Sequence, residues 1–90
     1  MTIQKWPERS VRTDCEYGYE WAPMLEAGET ITARDVLTDY PLDIYREYIT
    51  GTVQTIWVRG GEPSSAQIVL LIETNRGRTF DQTFRLDTTG

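Results

Sequence analysis

The sequence predicts an all-β domain of about six to seven antiparallel strands, and three observations predict it. Apolar and polar residues alternate with a period of two in several segments. Turn-forming clusters of Gly, Pro, Asn and Asp recur about every ten residues, the spacing of a sandwich or barrel. No repeat array, heptad pattern or low-complexity tract competes with that reading.

Residues 1–10 (MTIQKWPERS) carry neither a strand nor a helix period and are broken by Pro7, so they read as an extended or disordered arm ahead of a single domain spanning 11–90. Trp6 stands out in that arm. It either tucks onto its own domain or anchors a neighbouring subunit.

Residues 12–21 alternate strictly, with Cys15, Tyr17, Tyr19 and Trp21 on one face and Asp14, Glu16, Gly18 and Glu20 on the other. A loop around Pro23 and Gly28 follows, in which Met24 or Leu25 plugs one end of a core. Residues 29–37 resume the alternation with Ile31, Ala33 and Leu37 inward. Residues 39–50 fit both periods, since Leu42, Tyr45 and Ile49 share a helical face while Leu42, Ile44 and Tyr48 share a strand face. The tyrosines and isoleucines decide for a strand.

Residues 52–59 set Ile56 and Val58 against Val53, Thr55 and Trp57, residues 66–74 are apolar on both faces, and residues 78–86 place Phe80, Gln82, Phe84 and Leu86 together. Gly60-Gly61 and the Asn75–Gly77 turn are read as reversals that fold these three strands back on one another.

Ninety residues with 39% hydrophobic and 26% charged side chains support one modest core. A net charge of -5 without a Lys/Arg run argues against nucleic acid as a partner. The longest apolar run, Ile68 to Ile72, falls far short of the roughly 20 residues that span a bilayer, and the first ten residues lack the apolar core of a signal peptide. Membrane insertion is not expected, and synthesis and folding in a cytoplasm are. The single cysteine, Cys15, has no intrachain disulfide partner and is expected to be a buried, inert thiol.

The chain contains no histidine, which removes the commonest general base and metal ligand together. The carboxylate groupings Asp43 with Glu47, and Asp14, Glu16 and Glu20, match no acid/base or Ca²⁺ motif and read as solvated faces. Gly60-Gly61 belongs to no phosphate-binding pattern, and Arg59, Arg76 and Arg78 at strand ends read as ordinary surface residues. No catalytic residue, metal or cofactor is expected, and a small-molecule ligand is disfavoured.

One feature above this background is apolar. Trp57, Val69 and Leu71 face away from the expected core and, on neighbouring hairpin strands, would form an outward patch suited to a subunit interface. The alternative is that the arm or the 39–50 segment covers it. With Trp6, these residues are the candidate interaction patch. A reading of a different class makes Trp57 and nearby tyrosines a stacking platform for carbohydrate, with Arg59 or Asp81 supplying polar contacts.

The motifs EYGYEW, LEAGETI, IWVRGG and IETNRGRTF together resemble small phage and prophage fibre-tail adaptor, or tail structural, proteins. The matching positions are Tyr19, Glu20 and Trp21; Leu25, Gly28, Glu29, Thr30 and Ile31; Ile56, Trp57, Val58, Gly60 and Gly61; and Thr74, Gly77 and Arg78. Departures include Glu in place of Asp before Trp21 and before Thr30. The resemblance implies an immunoglobulin-like β-sandwich in a virion or prophage tail. It would be a non-enzymatic structural module whose partners are other tail or fibre proteins and possibly itself.

Overall fold

The computed structural model describes residues 3–38 and 42–90. Among these lie β1 (Gln4–Lys5), β2 (Arg9–Ser10), β3 (Cys15–Glu20), β4 (Ile31–Thr38), β5 (Asp43–Thr50), β6 (Val53–Arg59), β7 (Ser64–Thr74) and β8 (Thr79–Thr89), with one 3-10 turn at Ala22–Met24. Residues 39–41, part of the ambiguous 39–50 segment, lie outside the described residues, and the remainder of that segment is the strand β5.

Two sheets form. One has the order β1-β8-β7-β4 with β2 also on β8, and the other has the order β3-β6-β5. The β7–β8 reversal follows the expected turn: Gly77 adopts φ 73°, while Thr74 N–H donates to Arg78 O at 2.9 Å and Gly77 N–H to Thr74 O at 3.0 Å. The core lies between the sheets. Tyr17, Trp21, Ile56 and Val58 from one side meet Ile68, Leu70, Ile72, Phe84 and Leu86 from the other. A buried polar bridge ties the layers, because Trp21 Nε1–H donates to Gln54 Oε1 at 3.1 Å and Gln54 Nε2–H donates across to Asp35 O on β4 at 3.2 Å. Gln54 is fully buried, so these bonds satisfy an amide that would otherwise be costly there.

Four expectations need correction. The strands are not all antiparallel, since β1 and β2 each pair with β8 in parallel. The segment after β6 is not a hairpin: β6 belongs to the three-stranded sheet and β7 to the other, so Gly60 and Gly61 carry the chain from one sheet to the other. Gly61 suits that crossing, with φ 86° and a position at which a Cβ would lie 3.1 Å from Leu42 Cδ2.

The third correction concerns β4. A bulge between Ile31 and Ala33 shifts the alternation by one, so Val36 rather than Leu37 packs against the core, and Ala33 and Leu37 turn outward with Leu37 53% exposed. The fourth is β5, where a second bulge between Ile44 and Arg46 separates Ile44, opposite inward-facing Val58, from Tyr48, opposite outward-facing Thr55.

Candidate interaction surfaces

Trp57 occupies the central strand of the three-stranded sheet and points outward because its neighbours Ile56 and Val58 point in. Its cross-strand partners are Glu16 on β3 and Arg46 on β5. The Tyr45 ring lies 6.4 Å away at 55°, and Arg59 sits over Tyr45 with its guanidinium carbon 4.4 Å from the ring centre. Asp43 accepts from Arg59 Nε at 2.7 Å, and this contact holds the guanidinium above even its usual high pKa. Arg46 stands 5.1 Å over Tyr48, so two arginines and three aromatic rings share this face. Trp57 is half-buried, and its Nε1–H is enclosed without an acceptor among the described residues.

Val69 and Leu71 lie elsewhere. They are half-buried on the outer face of the other sheet, where Val69 pairs with exposed Leu37 and Leu71 with Asp35. The structure therefore does not bring Trp57 together with Val69 and Leu71, because β6 and β7 belong to different sheets rather than to one hairpin. Leu37, inward by its spacing, is the most exposed apolar side chain on that second face, and the sequence carries no visible sign of the bulge that turns it out.

Trp6 is 8% exposed and belongs to the core cluster. Its ring stacks on Phe84 at 4.0 Å and 9° and on Tyr17 at 4.8 Å and 19°. Burial, with Cys15 alongside, pushes the Tyr17 phenol up to about 12, so it remains a donor, and it bonds Pro7 O at 3.0 Å. Arg9, 3% exposed, ties the arm to the body through Nη1–H to Gly60 O at 2.8 Å and Nη2–H to Thr13 O at 2.9 Å.

Within the acid groupings, Asp43, Glu47 and Glu20 make structural contacts. Both Glu47 oxygens accept from Arg34 Nε, at 2.9 and 2.7 Å, bridging the edge strands β4 and β5. Glu20 accepts from Thr52 Oγ1 and from Ala22 N–H, contacts that lower its pKa. Among the described residues no group of three or more His, Cys, Asp or Glu could hold a metal, and no helix is long and apolar enough to cross a membrane. Cys15 is half-buried and free.

Arg76 and Arg78 are engaged at the end of the sandwich. The Glu29 side chain is buried, accepting from Arg78 Nε at 2.9 Å, Thr74 Oγ1 at 2.6 Å and Glu26 N–H at 2.9 Å, with a further close contact to Arg78 Nη2. Arg76 bonds Glu26 at 2.6 Å and Ala27 O at 2.8 Å. This network pins the loop after the 3-10 turn to the β7–β8 turn, so the LEAGET and TNRGR motifs form one joint.

Arg78 above all, with help from Thr74 and Glu26 N–H, holds the Glu29 carboxyl well below the usual carboxylate range against the opposing effect of burial. A lowered folded-state pKa contributes stability that is present above the unfolded pKa and fades as pH falls through the folded one. Glu29→Gln is expected to lower Tm by about 5–15 °C at neutral pH and to flatten the fall of Tm between roughly pH 5 and pH 2, read by circular dichroism melts across pH.

A comparison with curated proteins returns no match. The family model Gp77, described as podophage GP4 fiber-tail adaptor protein gp77, matches residues 10–87. That span runs from the second arm strand to near the end of β8 and takes in both sheets and the Glu29 joint. With most of its length matched, the chain belongs to the podophage GP4 fiber-tail adaptor protein gp77 family.

Proposed function

We propose that this structural protein works in the virion tail without catalysis, as a small rigid module that joins other tail or fibre proteins through protein–protein contacts. Membership of a fibre-tail adaptor family supports the location and the structural role. The strand orders β3-β6-β5 and β8-β7-β4 support an immunoglobulin-like reading of the sandwich, because they follow the B-E-D and G-F-C partition of that fold.

The outer face of β3-β6-β5 is the contact surface we favour. The observation that carries this is the cluster of Trp57, Tyr45 and Arg59 on one outward face, residue types that dominate interface energetics.

Trp57→Ala tests this in a phage carrying the substituted gene. The variant is expected to fold, with its Tm within a few degrees of the parent, and to lose about 2–4 kcal/mol of binding, roughly 30- to 1000-fold in affinity, which would deplete it from purified particles. Undiminished incorporation would overturn this placement of the contact. Saccharide-dependent quenching of tryptophan fluorescence, abolished by Trp57→Ala, would replace the reading with carbohydrate recognition.

A further inference from the structure

We propose that the outer face of the β8-β7-β4 sheet is a second contact surface, on which another copy of this chain docks face to face about a two-fold axis. The two outer faces lie on opposite sides of the sandwich, so this contact stands independently of the one placed on β3-β6-β5.

The face carries an apolar row with opposite charge on its two sides. Leu37, Val69 and Thr83 are ladder neighbours across β4, β7 and β8, and they form the row. Leu37 is 53% exposed at one edge of the sheet, and Ile3, next to β1 at the other edge, is 52% exposed. Two residues along the strands in one direction lie Asp35, Leu71 and Asp81, again ladder neighbours. Two residues in the other direction lie Gln67, Arg85 and Lys5. Asp87 stands beyond the basic row and engages both Lys5 and Arg85, whereas neither Asp35 nor Asp81 has an ion-pair partner among the described residues.

That order is self-complementary, and this singles out a second copy as the occupant. A two-fold axis along the apolar row sets row upon row and turns the strands of the other copy end for end. Asp81 and Arg85 each lie two residues, about 7 Å, from Thr83 on β8, so Asp81 of either copy then stands over Arg85 of the other. The symmetry doubles each such match, and it gives the unpaired aspartate a cation that its own chain does not. Beside Leu37 lies a hollow of about 210 Å³ bounded by Thr38, Gln67 and Val69, room for the Leu37 side chain of the other copy.

The available area sets the strength. Strands about 4.8 Å apart with the lengths of β4, β7 and β8 present roughly 500 Å² per copy, or about 1,000 Å² in a pair, the lower limit for a specific interface. The dimer is therefore a weak one, formed where copies are concentrated.

Sedimentation equilibrium of the purified full-length chain tests the proposal. The expected result is a monomer–dimer equilibrium with Kd of about 10–100 µM. Leu37→Asp alters a side chain that is exposed in the monomer, so it should keep the parent Tm and weaken the dimer at least about tenfold. Asp81→Arg and Arg85→Asp each set like charges across the axis and are expected to be monomeric alone. Mixed one to one, the two variants should dimerise with each other, because every facing pair is again of opposite sign.

Circular dichroism melts establish that each variant is folded. A parent chain that stays monomeric at about 1 mM would overturn the proposal, as would a dimer indifferent to Leu37→Asp or charge variants that fail to recombine. A dimer lost in Trp57→Ala but kept in Leu37→Asp would overturn it by placing the association on the other sheet. These readouts use purified protein, so they can fail while the tail assignment stands, and the reverse.

Discussion

Trp21→Ala is expected to lower the unfolding free energy by about 3–5 kcal/mol, a large share of the roughly 5–15 kcal/mol that holds a domain together. Trp21 is fully buried, packs edge-on to Tyr19 at 4.8 Å, and is the largest of the fully buried side chains. Truncation leaves a cavity between the sheets and also strands the buried Gln54 Oε1 without its donor. Gln54→Ala should cost less, about 1–3 kcal/mol, because Asp35 O and Trp21 Nε1–H each lose one partner while the packing loss is smaller. A double-mutant cycle read by urea denaturation checks the account: the pair should be non-additive, and strictly additive losses would mean that the Trp21–Gln54 bond contributes nothing.

Trp6→Ala is the second large effect, about 3–4 kcal/mol, with Trp6→Phe recovering much of it because a smaller ring still stacks on Phe84 and Tyr17. The change should also release Tyr17, whose hydroxyl bonds Pro7 O only while the arm is seated, so its phenol should titrate nearer the ordinary tyrosine range. Urea denaturation and a spectrophotometric tyrosine titration read the two effects. A Trp6→Ala protein as stable as the parent would show that the arm is not part of the fold.

The parts of the fold legible in the sequence are those where local pattern and tertiary position agree. Cys15 to Trp21 and β8 alternate because one face of each packs against the opposite sheet, β7 is marked by its apolar run, and Gly77 marks the β7–β8 reversal. The parts that were not legible depend on pairing over long distance. Nothing local to Gly60 and Gly61 distinguishes a hairpin from a crossover between sheets, so the local pattern places Trp57 beside Val69 and Leu71 although the sheets set them on different faces.

Bulges are equally silent. The one after Ile31 turns Leu37 outward although its spacing says core, and the one after Ile44 separates it from Tyr48. Glu29 is a motif position at the start of the 29–37 strand and Arg78 a strand-end arginine, yet their pairing spans 49 positions and emerges only when the two turns meet. The family resemblance was legible for a related reason: its motifs lie at the turns and core aromatics that the architecture uses as joints.

Quantitative mass spectrometry of purified particles, followed by cryo-electron microscopy of the tail, tests the central claim most directly. The account predicts that this chain is incorporated at a fixed copy number and that density for its two-sheet sandwich lies where fibres join the tail. Its presence in infected-cell lysate together with its absence from mature particles would contradict the claim.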